Sequence, residues 1–221
     1  MKITKELIEK IEKEAKTYFV NASGCHDWSH VDRVKKLALR IGKQEKADLQ
    51  IIEIAALLHD IGRKEEMKTK GLFCHAEAGA KTARKLLKKY SLTTDQVENI
   101  VHCIEAHRYR NAHIPNTIEA KILYDADKLD SIGAIGVARD FLFAGNAGSN
   151  CLYTGNEKRL AKEKKDYSYT KEDSALLEYE IKLKHVKDKI VTKTGKKIAK
   201  QRHEYMKKFF ERFWKEVKGE L

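Results

Sequence analysis

The stretch "ADLQIIEIAALLHDI", residues 47–61, constrains this chain more than any other. Its apolar residues recur on nearly every side of a 3.6-residue period, so it reads as a helix covered all round. A helix of that kind needs amphipathic helices packed about it. The rest of the sequence supplies them, and period-two alternation is not convincing anywhere. Ile3, Leu7, Ile8, Ile11 and Ala15 line one helix, with Thr4 as its N-cap. Val31, Val34, Leu37, Ala38 and Ile41 line a second that starts near Asp27 or Ser29. Further helices are predicted over Ala76–Tyr90, Val97–His107 and, after Pro115, Thr117 to about Phe143. Residues 172–191, capped by Thr170, and 195–217 close the chain, while Gly62 is placed as the stop of the central helix.

The expectation is therefore an all-α fold: one domain over 1–221, a bundle of about eight helices. Its core covers about 20–145 and its closing helices about 170–218. No proline- or serine-rich linker divides the chain, and no apolar run reaches the 18 residues of a transmembrane helix. The charged start "MKITKELIEKIEKEAK" lacks the apolar core of a signal peptide, which points to the cytoplasm. Four scattered cysteines without a CxxC pair read as ordinary thiols rather than a zinc ribbon or a disulfide framework.

The net charge is +12, and residues 156–221 carry 20 Lys/Arg against 12 Asp/Glu. Such an excess suits nucleic acid, an anionic membrane or a phosphorylated substrate. The lysines alternate with glutamates, as on a solvated helix face, so nucleic acid is not the favoured partner.

The polar residues on apolar faces carry the chemistry. At about 100° per residue, His30 lies on the stripe of Val34, Leu37 and Ile41, with His26 just before the cap. His107 lies at the edge of the stripe of Val97, Ile100, Val101 and Ile104, and His102 points away from it. His59 and Asp60 close the central apolar run. Imidazole nitrogen and carboxylate oxygen together suit Zn, Mn, Fe, Ni or Co. In "ILYDADKLDSIGA", Asp125, Asp127 and Asp130 are three carboxylates amid apolar neighbours. Periodicity does not choose among them: Asp125 shares a face with Ile118, Ile122 and Leu129, and Asp127 faces nearly opposite. The Gly/Asn-rich "GNAGSN" at 145–150 is a loop that a phosphate could use, though such loops are commonly plain connections.

The order His30, His59-Asp60, then an aspartate near 127 resembles the signature of the HD-domain metal-dependent phosphohydrolases. "HDWSHVDRV", "AALLHDIGR", "HAEAGAKTARKLL", "IEAHR" and "ILYDADKLDSIGAIGVARDF" resemble, in order, the blocks of a bacterial subgroup of small stand-alone HD hydrolases. The C-terminal "KTGKKIAKQRHEYMKKFFERFWKE" is similar to that subgroup's closing helix. The resemblance implies a divalent ion (Mn, Ni, Co, Fe, Zn or Mg) held by His30, His59, Asp60 and Asp127, with His75 and His107 matching ligands of a second. It implies hydrolysis of a phosphate ester of a nucleotide or other small phosphorylated molecule, with Asp60 or Asp127 as catalytic carboxylate. Where some HD nucleotidases carry a glutamate, this chain has Arg63, which cannot act as a base but can clamp phosphate. Lys128 and Arg139 are further candidate phosphate contacts. The competing expectation is a helical nucleic-acid-binding or scaffold protein that keeps the fold without the chemistry.

Overall fold

A computed structural model of the chain describes residues 3–22, 26–68, 74–108, 113–146, 148–149, 151–163, 165, 167, 170 and 172–221. Cys25, Ala147 and Asn150 lie outside them, so one thiol and part of "GNAGSN" do as well. Among the described residues the structure is helical, without strands, and no helix is long and apolar enough to cross a membrane. The chain divides into two compact units, Met1–Asp127 with Val191–Thr194, and Lys128–Ile190 with Gly195–Leu221.

The first unit is organised around α3 (Leu49–Leu58), in which Ile51, Ile52, Ile54, Ala55, Ala56, Leu57 and Leu58 are buried. Around it pack α1 (Lys5–Thr17), α2 (Trp28–Glu45) and α6 (Thr94–Ala106). This is the arrangement an all-round apolar helix requires. The starts are fixed by side chains: Thr4 Oγ1 accepts from Leu7, Asp27 Oδ1 from His30, and Asp48 from Gln50 and Ile51. Thr93 and Gln96 form a capping box on α6, satisfying main-chain donors that a helix leaves open.

The central helix ends sooner than its sequence pattern. It closes at Leu58, and His59 and Asp60 lie in a tight turn held by bonds from Ile61 to the Leu58 carbonyl and from Arg63 to that of Asp60. A short helix, α4 (Arg63–Lys68), follows, and then α5 (His75–Leu87). Gly62 is not a left-handed helix stop. It is glycine because α5 crosses so closely that a Cβ there would strike the His75 carbonyl and the Gly79 main chain.

The predicted helix from Thr117 to Phe143 is two helices, α7 (Ile118–Asp130) and α8 (Gly133–Asn146). Gly133, at φ +83°, takes a backbone conformation that interrupts a right-handed helix. Residues 172–191 also divide. α10 (Ala175–Ile181), after the single turn α9 (Glu157–Leu160), is capped by Ser174 rather than Thr170. Lys182 leaves the helical basin at φ −130°, and Leu183–Lys189 continues as 3-10 helix. Helix α11 (Lys193–Val217) buries Ile198, Ala199, Met206 and Phe210, and Phe210 stacks on Tyr179 with ring centroids 4.2 Å apart.

Candidate metal centre

Two helix ends and two helix starts deliver four histidines of the first unit. His59 and His107 are the C-cap residues of α3 and α6, His30 sits in the first turn of α2, and His75 opens α5. All four are at most 1% exposed, and Asp60 is 2% exposed. Asp127, on α7, is half-buried and gives the cluster a solvent-facing edge. His102 is half-buried outside the cluster and accepts from the Asn116 amide at 3.0 Å.

Hydrogen bonds fix the tautomers. His59 Nδ1 donates to the Ala56 carbonyl at 2.8 Å, and His107 Nδ1 to the Ile104 carbonyl at 2.6 Å. His75 Nδ1 lies 2.7 Å from Glu66 Oε2, an acceptor-only carboxylate, and 3.3 Å from Arg108 Nη1; the much shorter contact assigns it the proton. With each Nδ1 committed as a donor, the three rings turn Nε2 inward. His75 and His107 then face each other, Nε2 to Nε2, at 3.1 Å, and His59 faces His30 at 3.2 Å. Asp60 Oδ1 stands 3.1 Å from His75 Nε2 and 3.7 Å from His107 Nε2, yet is buried without a hydrogen-bond partner. Its Oδ2 lies 3.6–3.9 Å from His26, His30 and His59. Converging lone pairs around an unpartnered buried oxygen repel one another unless a cation lies among them.

Donor atoms group accordingly, within 4.8 Å of one another: His30, His59 and Asp127; Asp60, His75 and His107; and His26, His30 and Asp60. Asp60 turns Oδ1 toward His75 and His107 and Oδ2 toward His26, His30 and His59, so it faces donors of all three groups. The residues present thus fit one divalent ion and a second beside it.

The electrostatics agree with a cation site. Burial holds the His59 imidazole below its ordinary range and His107 well below, with the neighbouring His75 adding to the latter. Burial acts to raise Asp60, but Arg63 and His59 outweigh it and keep the carboxylate well below the usual range. Glu66 is pushed up by burial and down by His75, Arg63 and Arg108, and the lowering prevails.

The structure brings together His30, His59, Asp60, His75, His107 and Asp127, with Arg63 at the margin. Arg63 Nη1 donates to Glu66 at 2.8 Å and Nη2 lies 3.5 Å from Asp60, while its buried Nε has no hydrogen-bond partner. Lys128 and Arg139 belong to the second unit, where Arg139 donates to Asp130 at 2.6 Å. Asp125, the aspartate on the inward stripe of α7, accepts from the Val191 and Thr192 amides at 2.9 and 2.7 Å and from the Thr192 hydroxyl at 2.6 Å. It is a structural tie. Sequence reasoning left Glu66 and Arg108 unassigned; Glu66 sits in a charged run that carries no periodic signal. His26, placed only at the cap, also turns toward Asp60.

The HD-domain family profile matches residues 27–132. The Bacillus subtilis protein YpgQ is 33% identical over 215 residues, covering 96% of this chain and 94% of that protein. The crystal structure of Bacillus subtilis YpgQ in complex with ADP is similar with a TM-score of 0.73 at 30% identity, covering 95% of this chain and 97% of that one. A crystal structure of an HD-superfamily hydrolase from Bacillus thuringiensis gives a TM-score of 0.72 at 31% identity, covering 96% and 97%.

Proposed function

This chain belongs to the HD-domain family, and from that premise we propose that it is a metal-dependent phosphohydrolase acting on a phosphate ester of a nucleotide or other small phosphorylated molecule. The observation that carries the reading is the convergence of the His59, His75 and His107 lone pairs on the two oxygens of Asp60. His30, His59, Asp60 and Asp127 would hold one divalent ion, of Mn, Ni, Co, Fe, Zn or Mg; His75 and His107, sharing Asp60, would hold a second. Such an ion supplies a water activated for attack near neutral pH and neutralises charge on the phosphoryl oxygens.

The side chains divide the remaining work. Asp60, buried and held ionised, orients donors on both sides. Asp127, at the solvent-facing edge, is the better-placed carboxylate to take a proton from the attacking water. The unpartnered Nε of Arg63 is a donor waiting for an acceptor, which suits a phosphoryl oxygen. The ADP in the YpgQ crystal structure supports a nucleotide-like ligand.

Elemental analysis, alongside a panel of phosphomonoesters and diesters with Mn, Ni, Co, Zn and Mg, tests this reading. The expected result is bound transition metal and chelator-sensitive hydrolysis, both lost in His59→Ala. Protein that takes up no metal, with hydrolysis unchanged in that variant, overturns it.

A further inference from the structure

We propose that Glu66 is a positioning residue, a single carboxylate that presents His75 to the second ion and ties that ligand to Arg63 and Arg108. The proposal rests on the metal-centre reading given above. Its starting point is a difference between the histidines. His59 and His107 end their helices, so each finds a carbonyl three residues back in its own last turn to accept its Nδ1–H. His75 is the first residue of α5 and has no preceding turn of that helix to use. Its acceptor must come from another element, and α4 provides it through Glu66 Oε2.

One hydrogen bond would leave a glutamate side chain free to swing. Glu66 is instead held from both sides: Oε2 also accepts from Arg63 Nη1 at 2.8 Å, and Oε1 accepts from Arg108 Nη1 at 2.5 Å. Arg108 follows His107 directly in sequence, and Arg63 reaches Asp60 with its other nitrogen. The carboxylate is thereby locked to the residues beside two other donors of the same group. His75 acquires a fixed tautomer and ring orientation only through this assembly. Outer partners of this kind typically change metal affinity by about 10- to 100-fold. The first group, His30, His59 and Asp127, does not include His75. Loss of Glu66 therefore acts on one ion and spares the other.

Calorimetric titration of metal-free protein with Mn²⁺, together with nitrogen-15 NMR of its histidine rings, tests this. Wild type should take two ions, with His75 protonated at Nδ1. Glu66→Ala should weaken one ion by about 10- to 100-fold, leave the other unchanged and mix the His75 tautomers. Glu66→Gln, which keeps an acceptor, should give a smaller loss, and it serves alone if the alanine variant does not fold. Wild type that takes up no Mn²⁺ sinks the metal-centre reading itself. The Glu66 inference alone is sunk by a single wild-type ion, by two ions with unchanged affinity in the variant, or by equal weakening of both with an unaltered melting temperature.

Discussion

Asp60 in the first unit and Asp140 in the second are both nearly fully buried carboxylates, 2% and 6% exposed, and each has one oxygen without a hydrogen-bond partner. Their company is opposite. Histidine nitrogens and the Arg63 guanidinium surround Asp60, and its carboxyl stays well below the usual range. Burial drives Asp140 well above that range, and Glu178 and Asp173 add to the rise against a weaker opposing pull from Lys182. The same side chain thus sits among histidine nitrogens and a guanidinium in one unit and beside other carboxylates in the other. Asp125 is a third case, with both oxygens saturated by Val191 and Thr192. An unpartnered buried oxygen points to a metal only where the surrounding groups also offer lone pairs.

The largest effect expected is that of Asp60→Asn, which replaces one shared oxygen with an amide. Hydrolysis should fall by about 10³-fold, on the order of 4 kcal/mol, and bound metal should drop in elemental analysis. Wild-type metal content and turnover in this variant would collapse the contrast with Asp140. Next is Asp125→Ala, which strands two main-chain amides and a hydroxyl and should cost about 3 kcal/mol in urea unfolding. Activity per folded molecule should be unchanged. Asp127→Ala should do the reverse, losing metal with little change in the melting of the metal-free protein; if the two aspartates trade effects, their assignment is wrong. Adding Mn²⁺ at a hundred times its dissociation constant should raise stability by about 2.7 kcal/mol, reversibly with chelator and not in His59→Ala.

The smallest effect belongs to Asp140. Its pKa in the folded chain lies above its unfolded value, so its stabilising contribution is complete below the unfolded value and is lost as pH rises through the folded one. Asp140→Asn imitates the protonated form. It should gain about 1–2 kcal/mol at pH 7–8 and nothing below about pH 4, followed by thermal melts across that range. A gain of equal size at every pH would show that the carboxylate is not responsible.

Much of this was legible in the sequence because helical periodicity is geometric. The all-round apolar run became α3, and the stripes that pointed His30 and His107 inward are buried except at the half-buried Val97. The three aspartates near 127 could not be sorted that way. Asp125 does face inward, but its partners lie 66 and 67 residues further along the chain, beyond any local pattern. Resemblance, not spacing, singled out Asp127. Glu66 and Arg108 left no periodic trace for a related reason: they meet across 42 residues through the approach of α4 to the end of α6. Helix breaks at Gly133 and Lys182 depended on single backbone angles, which composition does not encode.

The crossing at Gly62 and Gly79 has one more consequence. His59 and Asp60 stand just before Gly62, and His75 opens the helix that carries Gly79. The interval between the donors of the two groups is therefore gauged by bare main chain against main chain, with no side-chain volume to trim or pad it. A methyl group at position 62 would act as a shim, widening the gap that Asp60 spans while leaving every donor atom chemically intact.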